Sequence, residues 1–275
     1  MYDTIVIGVG PAGMTAALYA ARANLKVATL EQGAPGGQMN NTSDIENYPG
    51  FESISGPELS MKMFEPLEKL GVENLYGIVS GIEDKGDYKV VKTGDEEYQT
   101  KTVIIATGAK HRHIGVAGEE EYNSRGVSYC AVCDGAFFRN KTVAVVGGGD
   151  VALEDALYLA AGCEKVYLIH RRQELRGTKV LQEQVANEPK ITFLPDTVVK
   201  EICGEQMVDH LVIANTRTGE EKELPVSGIF IAVGMNPQTD AVASVLDLDH
   251  GYVRAGEDGV TEQPGLFVAG DVRTK

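Results

Sequence analysis

Two cysteines three residues apart, Cys130 and Cys133, stand at the centre of the chemistry that this sequence can perform, and Asp134 follows them directly. Two thiols at this spacing can close into a small disulfide, or they can supply two of the four ligands of a zinc ion. The other cysteines, Cys163 and Cys203, stand alone, and no histidine repeats the pattern. Structural zinc sites usually draw on two such pairs, so the sequence favours a redox dithiol over zinc.

A dinucleotide-binding pattern opens the chain. The apolar run 4–8 predicts a buried strand, and the loop Gly8-Val9-Gly10-Pro11-Ala12-Gly13 leads into a helix predicted over 12–23. A second strand, over 26–30, ends at Glu31. In this pattern the glycines permit a tight turn, admit a pyrophosphate and let the helix pack closely, while the terminal acid accepts hydrogen bonds from ribose hydroxyls. The first unit therefore suits a dinucleotide with a free ribose.

The same pattern recurs after the two cysteines, with the loop Gly147-Gly148-Gly149-Asp150-Val151-Ala152 between strands predicted over 142–146 and 165–169. Where the first unit has its acid, the second has the basic motif His170-Arg171-Arg172, with Arg176 four residues further on. Guanidinium groups bind a phosphate in bidentate fashion, whereas an acid would repel a 2′-phosphate. The second unit therefore suits NADPH, and a merely solvated basic patch is the less favoured interpretation.

The remaining segments predict the elements that position these loops. Residues 56–70 predict a helix whose apolar stripe consists of Leu59, Met63, Leu67 and Leu70. Three weaker strand patterns, over 78–82, 88–92 and 97–99, predict a small antiparallel piece. Buried strands are predicted over 102–106, 229–234 and 266–270, and the last of these belongs with the first unit. The second domain is therefore inserted into the first, and the two linkers, near 110–115 and 235–239, can act as a hinge.

Composition excludes several classes of function. The net charge of −15 argues against nucleic acid and anionic membrane surfaces as partners. No apolar stretch approaches the roughly 18 residues of a spanning helix, and the N-terminus lacks the basic region of a signal peptide. Four cysteines without an export signal fit the reducing cytoplasm, where a C-x-x-C pair is more plausibly catalytic than structural.

In their order along the chain, these motifs resemble those of the low-molecular-weight thioredoxin reductases. The resemblance is carried by Gly-Val-Gly-Pro-Ala-Gly at 8–13, Pro-Gly-Gly-Gln at 35–38, Ile-Glu-Asn-Tyr-Pro-Gly at 45–50, Ala-Thr-Gly at 106–108, Cys-Ala-Val-Cys-Asp-Gly at 130–135, His-Arg-Arg-x-x-x-Arg at 170–176 and Gly-Asp at 270–271. Together they span nearly the whole chain, which is far more specific than any one of them.

The resemblance and the repeated pattern together predict an α/β fold of two Rossmann-like dinucleotide-binding domains, with parallel sheets and a small antiparallel piece. The FAD-binding domain is expected over 1–112 and 241–275, and the NADPH-binding domain, which carries the redox cysteines, over 113–240. The family implies FAD and NADPH as cofactors, oxidised thioredoxin as the protein substrate and a homodimer.

The resemblance also implies roles for individual residues. Cys133 would lie against the flavin, Cys130 would attack thioredoxin, and Asp134 would manage the thiol protons. Arg125 and the pair Phe137-Phe138 are similar to a thioredoxin-docking surface, although one phenylalanine could equally belong to the core.

The cofactor contacts that follow from the motifs form two sets. Those for FAD are Gly8, Gly10, Pro11, Ala12, Gly13, Glu31, Gly37, Gln38, Asn47, Ala106, Thr107, Gly108, Gly270 and Asp271. Those for NADPH are Gly147, Gly149, Asp150, Val151, Ala152, His170, Arg171, Arg172 and Arg176.

Two alternative functions and one departure from the family accompany this prediction. A flavoprotein that serves a peroxiredoxin or another thioredoxin-like partner shares the dithiol, and a flavin- or zinc-binding module without turnover belongs to a different class. The family continues after Asp271 with a helix that covers the flavin ring, whereas this sequence stops at Lys275. The expected consequence is weaker FAD binding and a flavin that is harder to reduce.

Overall fold

Two units make up the chain in the computed structural model, which describes residues 1–42, 44–94 and 96–274. One unit comprises Met1–Lys110 and Asn236–Lys275, and the other comprises His111–Met235. The boundaries expected from the sequence, after residues 112 and 240, lie a few residues further along the chain. The expected final helix would begin beyond the described residues.

The elements of the first unit begin as a strand–helix alternation. In chain order they are β1 (Tyr2–Ile7), α1 (Pro11–Arg22), β2 (Val27–Glu31), α2 (Gly56–Lys69), β3 (Glu73–Tyr76), β4 (Val79–Asp84), β5 (Lys89–Thr93), β6 (Glu97–Ile105) and β7 (Ala109–His111), the last of which reaches the unit boundary.

The second unit repeats this alternation and adds an antiparallel sheet. Its elements are β8 (Val127–Ser128), α3 (Ala131–Asp134), β9 (Thr142–Val146), α4 (Asp150–Gly162), β10 (Lys165–Ile169), α5 (Lys179–Asn187), β11 (Ile191–Leu194), β12 (Thr197–Gly204), β13 (Val208–Asn215), β14 (Glu221–Pro225) and β15 (Gly228–Ile231). The chain then continues through β16 (Met235–Pro237), β17 (Leu248–Asp249), β18 (Tyr252–Val253) and β19 (Leu266–Val268).

The main sheet of the first unit has the order β3-β2-β1-β6-β5-β4, and β19 also pairs with β6. Neighbours are parallel from β3 to β6 and between β6 and β19, whereas β4 and β5 form an antiparallel extension. The chain moves outward from β1 to β3 and then returns to the other side of β1, so the strand order reverses between β1 and β6. Ligands of such sheets bind beyond the carboxyl ends of the strands at this reversal.

The second unit builds its own parallel sheet in the order β11-β10-β9-β15-β8. Here β9 corresponds to β1 and β15 to β6, and the registers Val146↔Ile231 and Ile7↔Ile105 mark the equivalent ends. The order reverses between β9 and β15, which places a second ligand-binding edge at residue 147. The echo between 103–108 and 229–234 that the sequence shows is therefore a structural repeat.

Alternating side chains explain why the second half of β1, residues 5–7, is apolar on both faces of the sheet. Ile5 and Ile7 belong to one buried cluster, while Val6 packs with Met14 and Phe64, from α1 and α2, in another. A parallel sheet that is covered on both faces needs apolar residues at every position of its central strands. The glycine loop after β1 therefore begins at the end of a strand that is packed on both faces.

Three details of the first unit differ from the sequence prediction. Leu70 is 44% exposed because α2 ends at Lys69, and Phe64 takes a core place on that helix instead. The strand β3 was not predicted, and the segments predicted over 97–99 and 102–106 form the single strand β6. These differences leave the glycine loops where the sequence placed them.

Candidate active site and cofactor sites

Cys130 and Cys133 form a disulfide at the start of the short helix α3, with their Sγ atoms 2.04 Å apart. The backbone N–H of Cys133 donates to Cys130 Sγ at 3.2 Å, so the loop is closed by a hydrogen bond as well. Cys133 is exposed and Cys130 is half-buried. A solvent-accessible disulfide of this kind can exchange with a thiol of another molecule.

The carboxyl group of Asp134 lies half-buried at the end of the same helix. Burial raises its pKa, and a hydrogen bond from Ser128 Oγ at 2.5 Å opposes that rise. The Asp134 N–H also donates to the Cys130 carbonyl at 3.1 Å. A carboxyl group whose pKa is raised by burial is suited to giving and taking protons.

The two phenylalanines after Asp134 differ in exposure. Phe137 is 42% exposed, whereas Phe138 is buried and meets Phe230 edge-on with 5.2 Å between ring centroids. Phe138 is therefore the core member of the pair, whereas Phe137 and Val132 are both exposed. The exposed Arg125 stacks over Tyr122 in the same unit.

A buried acid near the disulfide was missed by sequence reasoning. Glu119 is 2% exposed and accepts the Tyr129 hydroxyl at 2.9 Å, together with the N–H groups of Ile114 and Gly115 at 3.1 and 2.7 Å. Burial and this contact raise the pKa of Tyr129. Glu119 opens a run of three glutamates that resembles a solvated charged surface, and only the fold shows which of them is buried.

A cavity of about 810 Å³ lies at the carboxyl ends of the first unit's parallel strands. All of the residues predicted to contact FAD line it, except Gly13 and Asn47. Gly13 is buried between helix and strand, and Asn47 is exposed on a surface loop. The lining also includes residues that no motif marked, among them Ile78, Lys110 and Gln238.

The glycines of this cavity leave room for a dinucleotide. A methyl group added at Gly10 would meet only the Cα of Gly37, at 3.9 Å, so the backbone there is open to a ligand. No side chain caps α1 at Gly10, and its first turn holds no acid. The unpaired N–H groups of that helix start can therefore receive a pyrophosphate, and the donor set fits FAD.

Glu31 is fixed at the end of β2 by the backbone around it. Its Oε2 accepts the N–H of Val9 at 2.8 Å, and its Oε1 accepts those of Gln32 and Gly33 at 2.8 and 3.3 Å. A carboxylate offers about four acceptor sites, so one is left for a ribose hydroxyl. The acid thus also joins the strand to the glycine loop.

The second glycine loop has the same construction. Gly147 has φ +159°, and a methyl group there would lie 2.4 Å from the Ala232 carbonyl and 2.6 Å from the Ala152 side chain. Ala152 therefore packs as closely as the sequence predicts for this loop position. Nothing lies within 4 Å of a methyl group at Gly149, so this backbone is open for a pyrophosphate.

The basic motif after β10 divides into exposed and buried members. The three arginines predicted to bind NADPH are exposed, and within the described parts of the chain, unlike Arg217 and Arg273, none of them forms an ion pair. Their guanidinium groups thus suit a 2′-phosphate. Arg176 also donates its backbone N–H to the Gly148 carbonyl at 2.6 Å, which holds it at the glycine loop.

The structure places His170 differently from the three arginines. It is 5% exposed, and its ring lies against the backbone of Gly148. Burial lowers the pKa of His170, and the positive charges of Arg176 and Arg171 lower it further. The imidazole is therefore largely neutral at pH 7, and it packs against the backbone of the glycine loop.

Asp150 and Val151 begin helix α4 on the open side of the second loop. The Asp150 carboxylate accepts the N–H of Thr178 at 2.7 Å, and Val151 is exposed. Asp150 thereby ties the segment after Arg176 to the start of the helix. This second set of residues, like the first, fits a dinucleotide.

Neither metal clusters nor membrane spans are found in the described parts of the chain. Among residues 1–42, 44–94 and 96–274, no three His, Cys, Asp or Glu side chains are grouped so as to hold a metal ion. Within the same residues, no helix is both long enough and apolar enough to cross a membrane.

Comparison with known proteins gives a consistent set of relatives. The profile of the pyridine nucleotide-disulphide oxidoreductase family matches residues 2–275. The thioredoxin reductase of Bacillus subtilis (strain 168) is 50% identical over 277 residues, which cover 100% of this chain and 88% of the relative. The solved structure of thioredoxin reductase from Streptococcus pyogenes MGAS5005 is similar with a TM-score of 0.95 at 58% identity, covering 100% of this chain and 90% of that one.

Proposed function

The chain belongs to the pyridine nucleotide-disulphide oxidoreductase family, as a low-molecular-weight thioredoxin reductase, and from that premise we propose how its residues reduce thioredoxin with electrons from NADPH. The observation that carries the proposal is the accessible Cys130–Cys133 disulfide, which has the half-buried Asp134 on its own helix. The two dinucleotide-binding loops of the same chain would bind the cofactors that deliver electrons to this disulfide.

FAD and NADPH are the cofactors of this enzyme. When bound, FAD accepts a hydride from NADPH and passes two electrons to a disulfide. We assign FAD to the unit Met1–Lys110 and Asn236–Lys275, where Gly10 and the start of α1 would hold the pyrophosphate and Glu31 the ribose. We assign NADPH to the unit His111–Met235, where Gly149 and the exposed arginines would hold the phosphates.

The thiol chemistry then follows from two residues. Two electrons and two protons convert the Cys130–Cys133 disulfide into two thiols. Cys130, as a thiolate, attacks one sulfur of the thioredoxin disulfide, forms a mixed disulfide and releases the other sulfur. Cys133 next attacks Cys130 Sγ, which releases reduced thioredoxin and restores the starting disulfide. Asp134 accepts a proton from an attacking thiol and returns it to a leaving sulfur.

Partner docking is assigned to the surface beside the disulfide. Exposed Val132 and Phe137 give this surface apolar character, and Arg125 adds a positive charge to the same unit. An apolar surface next to a reactive disulfide supports recognition of a protein substrate.

The test of these roles compares two serine variants. Cys133→Ser is expected to trap thioredoxin as a stable mixed disulfide through Cys130, because no thiol is left to resolve it. Cys130→Ser should form no such adduct but should show a long-wavelength charge-transfer band from the Cys133 thiolate beside oxidised FAD. Mass spectrometry and visible spectra measure both outcomes. An adduct through Cys133, or the band in the Cys133→Ser protein, would reverse the assignment.

We also propose a homodimer in the cytoplasm. The dimer is supported by the family resemblance, and light scattering of the purified protein tests it. The location is supported by Cys163 and Cys203, which are both unpaired thiols, as expected in a reducing compartment.

A further inference from the structure

Ser128 is a buried side chain, 4% exposed, at the end of β8 and two residues before Cys130. Its Oγ donates to Asp134 Oδ2 at 2.5 Å and accepts the backbone N–H of Cys130 at 3.1 Å. The Cys130 carbonyl oxygen lies 3.3 Å from the same Oγ. One hydroxyl group therefore contacts both the acid and the backbone of the attacking cysteine.

A serine hydroxyl has one proton to donate and two lone pairs with which to accept. When Asp134 is ionised, the Ser128 proton goes to Oδ2, and one lone pair holds the Cys130 N–H. When Asp134 is protonated, its own proton can go to the second lone pair, and the Ser128 proton can turn to the Cys130 carbonyl. The same three groups thus stay hydrogen-bonded in both protonation states.

No charged group of the described residues adds to the effect of burial on Asp134. Burial raises the pKa of Asp134, and the Ser128 hydrogen bond is the one opposing cause. Helix α4, which packs against α3, carries Glu154 and Asp155, and neither contributes to the shift. On the other side, the neighbouring strand β15 has no titratable side chain.

We propose that Ser128 is a positioning residue for thiol–disulfide exchange, holding the Asp134 carboxyl in one orientation tied to Cys130 while its proton is taken up and released. This rests on the proposed function, in which Asp134 carries the proton. Each attacking thiol loses one proton and each leaving sulfur gains one, so Asp134 returns to its starting state and Ser128 neither gains nor loses a proton overall.

The role predicts a specific set of variants. Ser128→Ala removes the hydroxyl, Ser128→Thr keeps it, and Ser128→Val matches threonine in shape but lacks it. For Ala and Val we expect thioredoxin turnover by the FAD-loaded enzyme at pH 7 to fall about 3- to 10-fold, with its pH profile moved to higher pH. Ser128→Thr should restore the wild-type profile. Thr197→Ala, which removes another buried hydroxyl of the same unit, is the matched control and should leave the profile in place.

A second measurement does not depend on turnover. Aspartate carboxyl carbons are labelled with ¹³C, and the holoenzyme is titrated with pH while NMR spectra are recorded. The Asp134 signal is identified because it is absent from the spectrum of the Asp134→Asn variant. In Ser128→Val the signal should titrate at higher pH than in Ser128→Thr, because the donor that favours the ionised carboxylate is gone. Asp134→Asn combined with Ser128→Ala should be no slower than Asp134→Asn alone.

The possible failures are distinguishable. If Asp134→Asn keeps full thioredoxin turnover, the proposed role of Asp134 is wrong, and the role of Ser128 falls with it. If Asp134→Asn is slow while Ser128→Ala and Ser128→Val keep the wild-type profile and titration, only the Ser128 proposal is overturned. A further loss in the double variant would likewise overturn it, because the serine would then act independently of Asp134.

Discussion

In the proposed cofactor assignment, the choice between NADPH and NADH depends on the exposed arginines that follow β10. Arg171 and Arg172 follow β10, where the first unit has Glu31, and each charge-assisted bond to a 2′-phosphate contributes roughly 1.5–3 kcal/mol. We expect Arg171→Ala combined with Arg172→Ala to lower kcat/KM for NADPH about a hundredfold or more. The value of kcat/KM for NADH should change little. Steady-state kinetics with both nucleotides measure this. Arg22→Ala, at an exposed arginine of α1, is the control, and an equal loss for both nucleotides would contradict the phosphate assignment.

Asp155 predicts a pH dependence of stability. Burial raises its pKa from 3.8 to about 6, and the charge of Glu154 contributes. The folded protein therefore binds more protons than the unfolded chain between these values, so stability falls as pH rises through this window. Because the side chain is partly exposed, we expect Asp155→Asn to raise the free energy of unfolding at pH 8 by about 1–2 kcal/mol.

The gain from Asp155→Asn should be smaller at pH 5, where part of the wild-type carboxyl is already protonated, and urea denaturation at both pH values measures it. The control is Glu154→Gln, which leaves Asp155 buried and should give a smaller gain. An equal gain at pH 5 and pH 8 would show that the amide acts by packing rather than through the charge.

Single residues also show where sequence reasoning stops. The glycine loops could be predicted because the spacing of their glycines is that of a dinucleotide-binding turn. The arginines could be predicted because they form a basic cluster in a chain whose net charge is strongly negative. Ser128 and Glu119 could not, since a serine two residues before a cysteine and a glutamate in an acidic run have no distinctive pattern. Both residues are distinguished only by their burial and hydrogen bonds, which depend on the tertiary fold. For the same reason, His170 could not be separated from the arginines beside it.

Packing of α1 against β1 predicts the effect of one added methyl group. At Gly13 a methyl would lie 1.9 Å from the Gly8 carbonyl oxygen, so the helix must move away from the glycine loop. We expect Gly13→Ala to cost about 1–3 kcal/mol in stability and to weaken FAD binding at least tenfold. Calorimetric titration of the FAD-free protein measures the affinity.

The control for this substitution is Gly33→Ala, close to the same cavity. Nothing lies within 4 Å of a methyl group at Gly33, so stability should change by less than about 0.5 kcal/mol. If both alanine substitutions weaken FAD binding equally, the close packing of α1 at Gly13 is not the cause of the loss.

Elements were predictable where the local pattern and the tertiary contacts agree. Strands β1, β9 and β10 each contain a run of buried apolar residues, because both faces of the sheet are covered there. Strand β3 was missed because it is a short edge strand, Glu73–Tyr76, held on one side by β2 and half exposed. The long strand β6 reads as two because its first half pairs with β5 and its second half with β1 and β19. Two environments within one strand produce two different patterns.

Over the whole molecule, a repeated construction accounts for both cofactor sites. In each unit a strand ends at a glycine, an uncapped helix follows, and an alanine carbonyl from the neighbouring strand closes the loop: Ala106 beside Gly8, and Ala232 beside Gly147. The two units differ at the end of the next strand, with Glu31 in one unit and the basic motif in the other. In the proposed assignment, the repeated loop and helix bind the pyrophosphate of each dinucleotide, and the side chains at this strand end select the nucleotide.

The assignment of one cofactor to each unit predicts separate footprints in hydrogen exchange. A ligand that binds only the folded protein suppresses local opening around its own site. FAD added to the FAD-free protein should therefore protect amides over 8–13 and 106–110, and NADP⁺ should protect those over 147–152 and 170–178. Exchange followed by peptide mass spectrometry measures both footprints.

The combined Arg171→Ala and Arg172→Ala protein provides the internal control for this experiment. It should lose the NADP⁺ footprint, because the 2′-phosphate is no longer held, while the FAD footprint over 8–13 stays. Since neither arginine belongs to the first unit, loss of both footprints would mean that the substitutions disturb folding. Protection of 147–152 by FAD, or of 8–13 by NADP⁺, would reverse the assignment, and the carboxylate of Glu31 would then have to coexist with a 2′-phosphate that it repels.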